Sequence, residues 1–217
     1  MSLYSYKLTH DTGFAPNPFW SFLTLATCKP KMRQKRVEGD WIAGFTSTSL
    51  CGDRPGGERL IYIMHVGEKL SIADYFEDDR FADKRSSPDS ELAVRRAGDN
   101  IYKPRLPGAV LPSDFEQQRN PHHWDGSSKC RVGDARKRDV NGEFVLIGKR
   151  FVYFGREALH IPVELRPAVP NGVSPYGAPT HDQEKVQLLV DYVFEQADGI
   201  QVIAPPHDWP DDDSWSG

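Results

Sequence analysis

The chain has 217 residues, 38% of them hydrophobic, and a formal net charge of −4. That length suits one large domain, or one domain with insertions, with a proper core; no window approaches the roughly 18 apolar residues of a membrane span. Its three cysteines, Cys28, Cys51 and Cys130, are odd in number and lack CxxC spacing, which favours reduced thiols in a cytoplasm over a disulfide scaffold.

The opening MSLYSYKLTH has no basic-then-apolar signal pattern, and Tyr4 to Thr9 alternates as a strand. Residues 11 to 30, DTGFAPNPFWSFLTLATCKP, are written differently. Proline lacks an N–H, fixes φ and pushes the preceding residue towards extended geometry. Gly13 to Phe19 is therefore a stiff loop presenting Phe14, Asn17, Phe19 and Trp20. Such a loop can grip a flat polar ligand with little entropy left to lose, or it can plug one end of a barrel. Leu23 to Lys35 reads as a short helix containing Pro30. Gly39-Asp40 is a turn into a strand at Trp41 to Thr46, and a Gly/Pro loop connects this to a strand at Arg59 to Val66. Ser71 and Asp74 are spaced as a capping box for a helix to about Phe81. Residues 82 to 142 are polar and proline-punctuated, with little regular structure expected beyond a short helix near Asp114 to Gln118; so long a segment in a compact domain either carries function or is partly disordered. Residues 144 to 154 read as two strands about Gly148-Lys149, or as one bulged strand. Thr180 and Gln183 are spaced as a capping box for a final helix whose Val186, Leu189, Val190, Val193, Phe194 and Ala197 form a core-facing stripe up to Gly199. The last residues, with four Asp and no cation, read as a frayed acidic tail.

Charge is unevenly spread. Lys29, Lys31, Arg33, Lys35 and Arg36 place five cations within eight residues, and a second cluster holds Arg131, Arg136, Lys137 and Arg138. Either suits phosphate, and either suits ordinary solvated surface. The P-loop, GxGxxG, GxSxG and HExxH patterns are absent. His122-His123 with Asp125 and Cys130 match no standard metal spacing, so no metal or cofactor is expected. Cys28 beside Lys29 is a candidate thiolate with His10 as the nearest base, but no third orienting group is evident, and TLATC reads as an approach that buries the sulfur as a small hydrophobe. Asp99 and Asn100, ahead of Tyr102 in GDNIY, suit either reading of a base edge or closure of a turn.

Gly39-Asp40-Trp41 followed by LIYIMHV and SIADYF resembles the core of PUA-like domains, the superfamily of the ASCH and EVE/YTH groups. More specifically, DTGFAPNPF…TLATCKPK…GDWIAGF, GDNIY and FVLIGKRFVYFG resemble the nucleotide modification associated domain family of the second type. The resemblance implies an α+β, PUA-like fold: a small bent β-barrel with flanking helices and an irregular insertion. On that reading residues 1 to 204 form a single domain, with the insertion at about 82 to 142 and a flexible acidic tail from 205 to 217. It also implies a link with base-modification systems of bacteria and phages. The expected function is recognition of a modified base or nucleotide, with DNA as the leading partner. Phe14, Trp41, Tyr102 or Tyr153 would sandwich the base, Asn17, Asp99 and Asn100 would read its edge, and Lys29, Lys31 and Arg33 would meet phosphate. The other classes are an enzyme acting on a nucleotide, with Cys28 or Asp11 and Asp99 as chemical groups, and a protein-interaction module. The proline-rich loop and GDNIY should then share one concavity.

Overall fold

The computed structural model describes residues 1–123, 132–172 and 174–211. In chain order it forms β1 (Leu3–Lys7), β2 (Leu23–Leu25), α1 (Pro30–Lys35), β3 (Trp41–Phe45), α2 (Thr48–Cys51), β4 (Leu60–His65), β5 (Glu68–Ser71) and α3 (Ile72–Glu77). The middle segment adds α4 (Ala93–Arg96), a ribbon of β6 (Tyr102–Pro104) and β7 (Phe115–Gln117), and α5 (Val132–Val140). β8 (Phe144–Gly148), β9 (Phe151–Tyr153), β10 (Ala178–Thr180) and α6 (Gln183–Ala197) follow. Among the described residues no helix is long and apolar enough to cross a membrane.

The architecture is mixed α+β in layers. The larger sheet has the order β10-β1-β3-β4-β9, with β1 and β3 parallel and the other neighbours antiparallel. One face carries Leu3, Trp41, Ile63 and Val152 against Val186, Leu189, Val190 and Val193 of α6. The apolar positions recur at helical spacing and all four are buried, each contributing about 1.5–3 kcal/mol of hydrophobic stabilisation. The opposite face, with Tyr6, Ile42, Tyr62 and Phe151, packs on Leu23, Leu25 and Leu146 of a second sheet ordered β2-β8-β5. The far face of that sheet, through Val145 and Ile147, meets Ile72 and Tyr75 of α3 and Ile101, Tyr102 and Phe115 of the middle segment. Gly44 is needed inside β3 because the Tyr62 ring and Leu8 occupy the space of a Cβ there.

Among the described residues the expected bent barrel is not found: the sheets are separate, with β9 and β10 as edges of the larger one. One cause lies at Gly148-Lys149. The two strands expected there are present, but β8 pairs with β2 and β5 while β9 pairs with β4, so the turn passes the chain from one sheet to the other. The expected helix over 23 to 35 is instead a strand followed by a short helix, because Pro30 takes the first helical turn and cannot sit inside one. Residues 112 to 118 form a single 3-10 turn and β7. The final helix is capped by Asp182, whose Oδ1 accepts the Lys185 N–H at 3.1 Å, while Thr180 belongs to β10. The stretch expected to fray is docked as far as residue 211: Trp209 stacks on Phe19 and its indole N–H donates to the Thr12 carbonyl at 2.8 Å.

Candidate active site

β2 delivers the chain to a tight corner. Cys28 and Lys29 both adopt left-handed backbone, φ 55° and 41°, before α1 begins at Pro30. Two consecutive non-glycine residues there are strained, and the surroundings hold them in place. The Cys28 N–H donates to Asp139 Oδ1 at 2.8 Å, and Arg33 Nε donates to the Cys28 carbonyl at 2.8 Å. Arg33 is wholly buried and also donates to the carbonyls of Phe144 and Asp139; a Cβ at Gly142 would overlap its guanidinium.

The corner leaves the thiol half-buried, with Sγ 3.8 Å from His123 Nε2. On the other side of the ring, Nδ1 lies 3.0 Å from Asp139 Oδ2, and the N–H direction is too far off for an aligned hydrogen bond, so this contact is chiefly charge on charge. Tyr102 OH donates to the same Oδ2 at 2.9 Å, and Arg138 Nε to Oδ1 at 3.2 Å. Arg138 also reaches across the front, 3.2 Å from His123 Nε2 and 3.8 Å from the sulfur. The proline-rich loop supplies the backing: Phe14 meets His123 edge-on at 4.8 Å and His122 at 5.2 Å.

Electrostatics follow from this packing. Burial opposes charge on His123, but Asp139 and the Cys28 sulfur outweigh it and raise the ring to about 9. Burial likewise opposes charge on Asp139, yet His123, Arg33 and Arg138 hold its carboxyl below the usual range. His122, buried beside a charged neighbour, is pushed down to about 4. Lys29 Nζ sits 4.2 Å over the Tyr6 ring; burial lowers it and Cys28 pulls it back. The arrangement is nucleophile, base and orienting carboxylate in series, with a cation beside the sulfur.

Of the residues expected to form a base pocket, Asn17, Asp99 and Asn100 are buried, and their side chains bond within an interior network. Asn17 donates to the carbonyls of Gly13 and Ala97 and accepts from Lys84 Nζ at 2.6 Å. Asp99 accepts from Thr24 at 2.7 Å and Tyr75 at 2.8 Å, and Asn100 donates to the Tyr75 and Phe81 carbonyls. Trp41 is core between His65 and Phe194. Tyr153 donates to buried Asp11, whose carboxyl burial raises to about 6. Of the proposed phosphate ligands, Lys31 is exposed, Lys29 is partly covered and Arg33 is interior. His10, the nearest base in sequence considered for Cys28, is exposed and faces Asp208 instead. His123 and Asp139 are 95 and 111 residues from Cys28 in sequence, beyond the reach of any spacing rule. Of the metal-ligand set considered, Asp125 and Cys130 lie outside the described residues, and no metal-holding cluster occurs among those described.

A family model described as nucleotide modification associated domain 2 matches residues 1–213. The chain belongs to that family. Nothing among curated proteins or solved structures matches it. Membership places the protein in a nucleotide-modification context and extends over the final segment, which the resemblance in the sequence did not reach.

Proposed function

We propose that the protein is an enzyme acting on a nucleotide, DNA in the first instance, through covalent catalysis by Cys28. The observation that carries this reading is the series Cys28 Sγ, His123 Nε2 at 3.8 Å, and Asp139 Oδ2 at 3.0 Å from Nδ1. In the step, His123 holds the thiol proton on Nε2 as an imidazolium and the sulfur electron pair forms a bond to an electrophilic carbon of the nucleotide. The pair displaced from that carbon moves to its neighbouring heteroatom, where His123 returns the proton. Asp139 keeps the imidazolium oriented and lowers its energy, Tyr102 steadies the carboxylate, and Phe14 fixes the ring plane. Arg138 beside the sulfur, with Lys29 and Lys31 on the same corner, suits a thiolate and a phosphorylated substrate. The binding-module reading leans on aromatic faces open to a base, and Trp41, Tyr102 and Tyr153 are 2% exposed or less. Cys28 and Cys51 are both free thiols, in keeping with a reducing cytoplasm.

Intact-mass analysis after incubation with mononucleotides and short oligonucleotides carrying natural and modified bases tests the proposal. An adduct on the wild type that maps to Cys28, and is missing in Cys28→Ala and slowed in His123→Gln, is the expected result. Turnover that survives Cys28→Ala unchanged sinks it.

A further inference from the structure

Away from Cys28, a concavity of about 750 Å³ opens between the end of the proline-rich loop and the turn after α6. Phe19, Trp20 and Ser21 line one side and Gly199 to Val202 the other. A smaller one of about 350 Å³ shares Phe151 and Gly199 to Gln201 with it and runs on to Lys149 and Arg150. The two make a continuous groove, aromatic at one end and cationic at the other. Lys149 and Arg150 are exposed, and no carboxylate lines either part. At the aromatic end the Arg95 guanidinium lies 5.2 Å over the Trp20 ring. Trp20 and Ser21 are held left-handed at φ 61° and 64°, and the Trp20 indole N–H is buried with no acceptor.

We infer that this groove holds a single-stranded nucleic-acid segment, a base against Trp20 and phosphates against Lys149 and Arg150, so that the substrate of the Cys28 site is a base within a strand. Flat rings alternating with phosphates match aromatic and cationic walls in one ligand, whereas an acidic peptide matches only the cations. The inference rests on the nucleotide reading for its substrate but not for its binding.

Fluorescence anisotropy with a labelled single-stranded DNA of about 12 nucleotides, titrated with the full chain across salt, tests it. Lys149→Glu with Arg150→Glu should weaken binding about tenfold or more and reduce the salt slope by roughly 1.4, near 0.7 for each lost phosphate contact. Lys149→Glu alone, a change of one exposed side chain, should give about half that slope change should the double variant misfold. Trp20→Leu should weaken binding roughly tenfold and leave the slope as it was. Absence of wild-type binding at low salt, variants that bind like wild type, or polyglutamate competing as well as the oligonucleotide would overturn the groove. Oligonucleotide binding and adduct formation, both measured on the wild type, separate the two claims. Strand binding with no adduct on Cys28 keeps the groove and removes the enzyme, while adducts on a mononucleotide without strand binding do the reverse.

Discussion

Around Lys84, a fully buried ammonium donates to the Asn17 carbonyl at 3.1 Å, Asn17 Oδ1 at 2.6 Å and the Phe22 carbonyl at 2.9 Å. Burial pushes Lys84 down to about 7 with Asp99 opposing, and three acceptors matching three ammonium hydrogens hold the charged form against that push. Around Cys28, the same proline-rich loop and middle segment build a cluster whose sulfur is half-buried, whose contact to its base is 3.8 Å, and whose His–Asp contact is imperfectly aligned. The first cluster uses its polar capacity on itself and pins the loop to GDNIY. The second leaves its sulfur partly open, with a base and a cation within reach. A buried polar cluster is a candidate for chemistry when its bonding is incomplete towards an accessible atom, and a staple when it is closed.

That contrast breaks most visibly in stability. Lys84→Met leaves Asn17 Oδ1 and the Phe22 carbonyl without a donor, the Asn17 carbonyl keeping the Thr24 N–H, and should cost about 3 kcal/mol in urea unfolding, with Cys28 labelling in the folded protein unchanged. A parallel loss of thiol reactivity would merge the two regions into one. Next comes a pH effect. The folded pKa of His123 is about 9 against an ordinary 6.5, so its stabilisation is fully present below about pH 6.5 and is lost as pH rises through 9. The stability difference between wild type and His123→Gln should therefore reach up to about 3 kcal/mol at low pH and shrink across that window; a difference that grows with pH would reverse the charge assignment. Tyr102→Phe removes one donor to Asp139 and should cost about 1 kcal/mol while slowing Cys28 labelling less than His123→Gln does. Smallest of all, Cys28→Ala should change stability by under about 1 kcal/mol, because the thiol is half-buried and makes only long contacts.

Much of the framework was legible from local signals. Alternation from Tyr4 marked β1, an apolar run after Gly39-Asp40 marked β3 and the run after the Gly/Pro loop marked β4, the Ser71–Asp74 box started α3, and the apolar stripe from Val186 to Ala197 placed α6 against the sheet. The loop of residues 13 to 19 and GDNIY do come together, since Phe14 packs in one buried cluster with Ile101 and Tyr102. Their aromatic and amide groups satisfy one another in the interior, and sequence alone does not distinguish a side chain aimed at a ligand from one aimed at the core. The middle segment reads as an insertion that either carries function or is partly disordered, and its regular structure stays hidden because its strands are three residues long and its turns are proline-rich. It supplies His123 and Asp139, each meaningful only once the fold brings it to Cys28. Pairing of β8 and β9 into different sheets was equally hidden, because a Gly-Lys turn reads alike in a hairpin and in a crossover.

The central claim is that Cys28 is an activated nucleophile and Cys51 an ordinary thiol, whose pKa burial raises. Iodoacetamide labelling of the native protein at neutral pH, with each cysteine resolved by peptide mass spectrometry, tests it directly. Cys28 should react at least about tenfold faster than Cys51, and His123→Gln should bring it to within roughly twofold. Equal rates in the wild type, or a Cys28 rate indifferent to His123→Gln, would contradict the account.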